Sequence, residues 1–122
     1  MQLLLSYSRR LEPLPEQFAA LDRGAYTVPE CQTRVDLFSD VHDGKLHFYA
    51  DVDVRQSPTI AAFLAITFSA VNDQPPGTTL DIPDDFVHAT MQGLGLSARE
   101  VGLNAMVARI KQHARAALDA RT

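Results

Sequence analysis

The sequence predicts an α+β fold in which a small antiparallel β-sheet carries helices packed on one face. One observation is a pair of alternating apolar segments that flank Asp43-Gly44, a dipeptide typical of hairpin turns because glycine accepts positive φ. The other is helical periodicity in two long segments, which begin near Ser57 and Ser97. A chain of 122 residues is long enough for one hydrophobic core, so we predict a single domain over residues 1–122.

The segment before the hairpin is predicted to be mainly helical. Its apolar side chains recur at helical spacing, namely Leu3, Leu4, Tyr7 and Leu11. They predict a short helix over residues 2–11, which Pro13 ends because proline cannot continue a helix. A further helical turn is predicted over residues 16–21, and a short extended piece over residues 25–29.

The hairpin strands are predicted over residues 33–41 and 46–52, joined by a turn at residues 42–45. Side chains alternate between the two faces of a strand, so the apolar ones are expected to share a face. Those predicted to face the helices are Val35, Leu37, Val41, Leu46, Phe48, Ala50 and Val52.

A central helix is predicted directly after the hairpin. Ser57 suits the N-cap, and Pro58 suits the first helical position, where its missing N–H costs nothing. Large apolar residues and alanines then occupy most sides of the helix, which predicts that it is largely buried. It is expected to end near Asn72, before Pro75-Pro76-Gly77.

Two further helices complete the predicted architecture. A short one is predicted over residues 84–92, and the last opens with a capping box over residues 97–100. The apolar face of the last helix consists of Leu103, Met106, Val107, Ile110, Ala114 and Leu118. Its basic residues are predicted to stay in solvent: Arg109, Lys111, Arg115 and Arg121.

The composition excludes several classes of protein. A net charge of −4 and a pI near 5.4 argue against a general nucleic-acid binder. No apolar stretch approaches the roughly 20 residues that a membrane span needs. One cysteine and no recognisable export signal predict a location in the reducing cytoplasm.

The candidate for chemistry is the single cysteine, Cys31, which lies two residues after Pro29. Free cysteines are often inert core residues, yet Cys31 lies outside any apolar pattern, in a predicted loop. A thiol becomes a nucleophile as its thiolate, which Arg34 or Arg23 would favour and Glu30 would disfavour. The residues alone therefore leave both a reactive and an inert Cys31 open.

The other metal-binding residue types do not form a metal motif. The histidines are scattered over a turn, a strand and two helices: His42, His47, His88 and His113. Zinc sites need about four ligands at recognisable spacing, so we predict hydrogen-bonded or solvated histidines and no metal.

Four segments of the chain occur in the same order in a known family. They are Leu11-Glu12-Pro13-Leu14-Pro15-Glu16, Val28-Pro29-Glu30-Cys31-Gln32-Thr33-Arg34-Val35, Asp51-Val52-Asp53 and Gly102-Leu103-Asn104-Ala105-Met106. Together they resemble SufE, the sulfur-acceptor protein of iron–sulfur cluster biogenesis, whose cysteine segment usually reads Val-x-Gly-Cys-Gln-Ser-x-Val-Trp. The resemblance extends from about Leu4 to Ile110.

The resemblance implies a fold shared with the IscU and NifU scaffold proteins, and it implies a function. A SufS-type cysteine desulfurase, which uses pyridoxal phosphate, would pass persulfide sulfur to this chain and be stimulated by it. The chain would deliver the sulfur to a SufBCD-type scaffold, with no cofactor of its own and no independent turnover, so it would not be an enzyme. Whether it forms a homodimer is left open.

The resemblance also assigns roles to residues. Cys31 is implied as the persulfide acceptor, and Arg99 as a possible supporting residue. The implied partner-binding loop consists of Pro29, Glu30, Gln32, Thr33 and Arg34. The chain departs from the family pattern at Glu30, where glycine is usual, at Thr33, where serine is usual, and at Asp36, where tryptophan is usual.

Three alternatives compete with this function. An IscU-type cluster scaffold is excluded, because it needs three cysteines and this chain has one. A binding module could instead regulate a desulfurase by contact alone, without a reactive thiol. A small cysteine hydrolase would need a histidine close to Cys31, for which His47 is the candidate.

Overall fold

The structure, a computed structural model, describes residues 8–19, 26–29, 34–92 and 100–120. Within these ranges the elements follow in the order α1 (Glu16–Ala19), β1 (Asp36–His42), β2 (Lys45–Asp51), α2 (Pro58–Val71), α3 (Pro76–Leu80), α4 (Phe86–Gln92) and α5 (Glu100–Ala120). β1 and β2 form an antiparallel sheet on which α2 and α5 pack, so the predicted α+β fold is confirmed. Most of the helix predicted over residues 2–11 lies outside the described residues.

The β-hairpin has the predicted turn. Asp43 and Gly44 both have positive φ, at 54° and 77°, which is the geometry of the tight turns that match the twist of antiparallel strands. Leu37 lies opposite Ala50, and Val41 lies opposite Leu46, so these apolar residues share one face as predicted. The hairpin prediction is therefore confirmed, with strand bounds shifted by one to three residues.

The apolar face of the hairpin is covered unevenly along its length. Leu37 and Leu46 are each 1% exposed, whereas Val41 is 48% exposed, which corrects the expectation that it joins the core. Val41 borders a shallow groove on the side of α5, where Ala116 and Ala117 line the same groove. These alanine side chains are too short to cover a valine at the tip of the hairpin.

The core lies between the hairpin and the two long helices. α2 is buried on almost every side, which confirms the predicted central helix, and its Phe68 stacks on Phe48 of β2 at 5.8 Å between ring centroids. From α5, Leu103, Met106 and Ile110 enter the same core with no exposed surface. Continuous burial of this kind is the main source of stability for a domain of this size.

The opposite face of the hairpin carries a smaller aromatic cluster. Phe38 is fully buried there, with its ring centroid 5.1 Å from Phe18 of α1 and 4.8 Å from Tyr26. Phe18 also contacts Tyr49 of β2, at 5.4 Å. The alternating pattern did not predict this burial, because the cover comes from residues well before the hairpin.

The start of α2 differs from the prediction in one detail. Pro58 occupies the first turn as expected, but the Ser57 side chain makes no capping hydrogen bond. The loop is organised instead by Asp53, whose Oδ1 accepts hydrogen bonds from the backbone N–H groups of Arg55 and Gln56 at 3.0 and 3.2 Å. The Ser57 N–H donates to the Asp53 carbonyl at 2.8 Å, so the acidic residue sets the approach to the helix.

α2 ends at Val71 with Asn72 as its C-cap, as predicted, and α3 is an additional helix that the sequence analysis did not predict. Pro76 occupies the first turn of α3, where a backbone N–H has no partner within the helix, so the missing N–H of proline costs nothing. The Pro-Pro-Gly segment can therefore begin a helix. α4 begins at Phe86, two residues later than predicted. In α5, Lys111 is not in solvent as predicted, because its Nζ donates to the Ile82 carbonyl at 2.6 Å. The predicted capping box lies outside the described residues except for Glu100.

The chain after α2 pairs with the outer edge of β2. The Asn72 Oδ1 accepts from the Phe48 N–H at 2.7 Å, and its Nδ2 donates to the Phe48 carbonyl at 3.3 Å. Leu46 continues the pairing, accepting from the Asp73 N–H at 2.7 Å and donating to the Gln74 carbonyl at 2.9 Å. Asp73 has a φ of 63°, which allows the chain to turn along the strand.

Candidate functional site: the flanks of the cysteine segment

The segment that contains Cys31 starts and ends at a pair of antiparallel backbone contacts. The Val28 N–H donates to the Val35 carbonyl at 2.9 Å, and the Leu37 N–H donates to the Tyr26 carbonyl at 3.0 Å. Residues 26–28 therefore run alongside the start of β1, in agreement with the predicted extended piece. Residues 29–34 connect Val28 to Val35, and both of these anchors are buried.

Of the predicted site residues, the structure describes Pro29 and Arg34. Both are exposed, Arg34 with 66% of its side-chain surface. The remaining ones are Cys31, Glu30, Gln32, Thr33 and Arg99, and they lie outside the described residues. Their assigned roles stay predictions.

Asp36, the first residue of β1, brings the two flanks together. It lies opposite Thr27, whose hydroxyl donates to the Asp36 Oδ1. Its other oxygen, Oδ2, is 3.4 Å from the Nε of Arg34. A single carboxylate thus contacts residues on both sides of Cys31, and we call Thr27, Arg34 and Asp36 the flank clasp.

The flank clasp is not evident in the sequence, where Asp36 stands out only as a departure from the family's tryptophan. An aspartate at the start of a strand usually lies at the surface, whereas the side chain of Asp36 is 2% exposed. The signal that could have found it is the nearby threonine and arginine, which can donate hydrogen bonds to a buried carboxylate.

A cavity of about 190 Å³, lined mainly by residues of polar type, adjoins the flank clasp. Its lining residues are Arg34, Asp36, Asp51, Val52, Asp53 and Gln56. The cavity connects the exit of the cysteine segment to the end of β2 and the loop before α2, so this face of the hairpin has a concave polar surface.

His47 forms a separate polar cluster near the other end of the hairpin. Its Nε2 lies 2.8 Å from the Glu12 Oε1, and its Nδ1 lies 3.0 Å from the Asp73 Oδ1. Burial lowers the pKa of His47, but the hydrogen bonds to Asp73 and Glu12 outweigh it and raise the pKa above 6.5. A cavity of about 270 Å³ lies beside this cluster.

The position of His47 disfavours the cysteine hydrolase. Asp51 is the cross-strand neighbour of Asp36, and His47 lies four residues before Asp51 on β2. His47 is therefore about 13 Å from the flank clasp, measured along the strand. Carboxylates also contact both of its ring nitrogens, so neither is free to act as a general base.

His113 lies on α5 and connects this helix to the sheet. It forms a 2.6 Å hydrogen bond through Nδ1 with the Ser39 hydroxyl. Burial, together with the nearby charge of Arg109, lowers the pKa of His113. Both effects favour a neutral ring that joins β1 to the helix.

The described ranges contain neither a metal-binding cluster nor a membrane span. Among those residues, no three or more His, Cys, Asp or Glu side chains are grouped so that they could hold a metal ion. No helix in the same ranges combines the length and apolar character that crossing a membrane requires.

Comparisons with known proteins place the chain in a family. Residues 1–114 match the model of SufE, the Fe-S metabolism associated domain. Uncharacterized SufE-like proteins from two strains of Mycobacterium tuberculosis are each 34% identical over 96% of this chain and 81% of theirs. A Synechocystis protein of the same description is 28% identical over 71% of this chain and 51% of its own.

A solved structure agrees with the sequence comparisons. The solution structure of a hypothetical protein from Thermus thermophilus superposes with a TM-score of 0.80 at 28% identity, covering 97% of this chain and 83% of that one. The match is of fold and sequence together, and it includes nearly the whole chain. The chain therefore belongs to the SufE family, and its role lies in Fe-S metabolism.

Proposed function

We propose that this protein is a sulfur acceptor that takes persulfide sulfur from a SufS-type cysteine desulfurase onto Cys31. The observation that carries the proposal is the family match over residues 1–114, which includes the cysteine segment. The anchored flanks of that segment support it, because they hold both ends of residues 29–34 at one edge of the sheet. The exposed Arg34 at one flank leaves a cation at the surface where a partner would dock.

The proposed transfer is a thiol–disulfide type of exchange with no net change in oxidation state. The Cys31 thiolate attacks the outer sulfur of the donor persulfide and forms a new S–S bond. The S–S bond of the donor breaks, and the donor cysteine leaves as a thiolate. Cys31 then carries the persulfide.

The single cysteine favours a carrier over a redox protein. A second thiol nearby would attack the persulfide, form a disulfide and release sulfide. The sequence contains one cysteine only, so a persulfide on Cys31 meets no second thiol within the chain. The protein would then pass its sulfur to a scaffold of the SufBCD type, without a cofactor or independent turnover, in the reducing cytoplasm.

The direct test is intact-protein mass spectrometry after incubation with the desulfurase of the same genome and L-cysteine, without reductant. We expect an added mass of one sulfur atom that peptide mapping places on Cys31. Omission of L-cysteine is the matched control. An unmodified protein beside a visibly active desulfurase would contradict the acceptor role.

The Cys31→Ser variant separates the acceptor from the contact regulator. An acceptor should lose its stimulation of the desulfurase when the thiol is replaced. A regulator that acts by contact should keep its stimulation, because serine preserves the size of the side chain. Sulfide release by the desulfurase with and without the variant is the measurement.

A further inference from the structure

The flank clasp joins residues that lie on opposite sides of the cysteine segment in the sequence. Thr27 precedes Cys31 by four residues and Arg34 follows it by three, yet both contact the carboxylate of Asp36. Backbone hydrogen bonds hold the flanks of this segment at two levels, between Val28 and Val35 and between Leu37 and Tyr26. The side chains of the clasp add a contact at Thr27 and extend the connection past Val35 to Arg34.

The burial of Asp36 explains why the clasp should hold firmly. The residue is 1% exposed, and a carboxylate removed from water is costly unless hydrogen bonds and opposite charge compensate it. Thr27 supplies a hydroxyl donor and Arg34 supplies a cation. Movement of either flank away from Asp36 would remove one of these compensating contacts, so the flanks are coupled.

We propose that Asp36 and Thr27 are positioning residues, which fix the flanks of the cysteine segment so that Cys31 reaches the persulfide of a partner protein. This inference rests on the proposed sulfur-acceptor function. A small persulfide can approach an exposed thiol from many directions, whereas the persulfide of a desulfurase is held in one place. The clasp should therefore matter for transfer between proteins and not for the reactivity of the thiol itself.

The test compares two sulfur donors on the same set of variants. The protein donor is the desulfurase loaded with L-cysteine, and the small donor is glutathione persulfide. Thr27→Val removes the hydroxyl while keeping the shape of the side chain, and Thr27→Ser keeps the hydroxyl. Asp36→Asn removes the charge, and Asp40→Asn makes the same change at an exposed carboxylate on the same face of β1.

We expect Thr27→Val and Asp36→Asn to slow sulfur uptake from the desulfurase by about tenfold or more, since small misplacements of reacting groups cost rates of this order. Uptake from glutathione persulfide should change by less than about twofold, because a small donor does not depend on how the flanks are held against a partner protein. Thr27→Ser and Asp40→Asn should transfer like the wild type. The double variant Thr27→Val/Asp36→Asn should be no slower than Asp36→Asn alone, because both changes break one unit.

The outcomes separate this inference from the function on which it rests. If Thr27→Val and Asp36→Asn accept sulfur from the desulfurase at the wild-type rate, the positioning role is wrong and the acceptor function stands. An equal slowing with both donors would assign the effect to the thiol or to folding, and it would also overturn the positioning role. A wild-type protein that takes no sulfur from the desulfurase would overturn both proposals.

Discussion

At the residue scale, His47 connects three parts of the chain through charge. It lies on β2, and it contacts Glu12 before α1 and Asp73 after α2. Tyr49 lies beside it, with ring centroids 4.7 Å apart, and Asp40 is its cross-strand partner. Because the pKa of His47 is raised in the folded protein, protonation of this ring and folding favour each other.

We therefore predict that His47 stabilises the protein at mildly acidic pH. The contribution should be complete below the unfolded pKa of 6.5 and should be lost as the pH rises through the higher pKa of the folded state. Relative to His47→Gln, the wild type should gain up to about 1 kcal/mol at low pH, the size of a partly exposed ion pair. Urea unfolding of both proteins between about pH 5.5 and about pH 9, a range that brackets this titration, measures the difference.

The comparison with His47→Gln removes the main interfering histidine. The pKa of His113 is lowered, so that residue favours folding as the pH rises toward 6.5, which is the opposite dependence. His113 is present in both proteins, and its effect cancels in the difference. A difference that grows with pH, or that stays constant, would contradict the prediction.

Single residues show which local features of the fold and of the site the sequence could predict. Asp43-Gly44 specified its turn because the required positive φ is a local property of the dipeptide. The burial of Asp36 was missed because Thr27, one of the residues that compensate its charge, lies nine residues earlier and approaches only through folding, although Arg34 is close in the sequence. The family resemblance assigned a role to Cys31, whereas the contacts at its flanks form only when the chain folds.

At the element scale, β2 depends on a side chain for part of its edge. The amide of Asn72 pairs with both backbone groups of Phe48, in place of a neighbouring strand. Phe48 itself is 1% exposed, so its N–H and carbonyl have limited access to water. An edge built in this way should be sensitive to the loss of one amide.

We predict that Asn72→Ala lowers the free energy of unfolding by about 1–3 kcal/mol, the usual cost of leaving buried backbone groups without partners. Gln74→Ala is the matched control, because Gln74 pairs with Leu46 through its backbone and its residue is exposed. Urea unfolding at neutral pH measures both variants. Equal stability of Asn72→Ala and Gln74→Ala would show that the amide pairing is not needed.

Two features that the sequence analysis missed have different physical reasons. Pro75-Pro76-Gly77 has the composition of a loop, yet proline is also suited to the first turn of a helix, and α3 uses it there. Alternation places Phe38 on the uncovered face, and residues from the N-terminal part of the chain cover it. The first case reflects a local preference of proline, and in the second case packing partners distant in sequence decided the outcome.

At the scale of the whole molecule, one core joins the hairpin to the helices. It includes residues from both strands and from α2, α4 and α5 within the described ranges. If residues 1–122 form a single domain, as predicted, unfolding should follow one cooperative transition. Two valines on α5 differ in burial, since Val107 is 8% exposed and Val101 is 74% exposed. Replacing each of them tests how much burial in this core contributes to the stability of the protein.

We predict that Val107→Ala destabilises the protein by about 1.5–3 kcal/mol, because it removes two buried methyl groups, worth about 0.8 kcal/mol each, and leaves a cavity. Val101→Ala should change stability by less than about 0.5 kcal/mol, as surface substitutions usually do. The measurement is the shift of the midpoint of urea unfolding, followed by both circular dichroism and tyrosine fluorescence. Similar losses for the two variants, or transitions that differ between the two signals, would contradict the single core.

The overall architecture was accessible from the sequence because apolar periodicity reflects burial directly. The face of α5 that contains Leu103, Met106 and Ile110 was predicted from spacing alone, and these residues are fully buried. The sequence did not predict how far the helices cover the apolar face of the hairpin, as the exposure of Val41 shows. Coverage depends on which side chains stand opposite, and spacing within one strand does not contain that information.

The contacts along both outer edges of the hairpin have a consequence for amide hydrogen exchange. A two-stranded ribbon leaves every second N–H of each strand open to solvent, and such protons exchange quickly. Here the outward N–H groups of Leu37, Leu46 and Phe48 donate to Tyr26, Gln74 and Asn72. The deuterium uptake of these three amides should resemble that of a strand in the interior of a larger sheet, so in isotope labelling they would behave like amides at the centre of a four-stranded sheet.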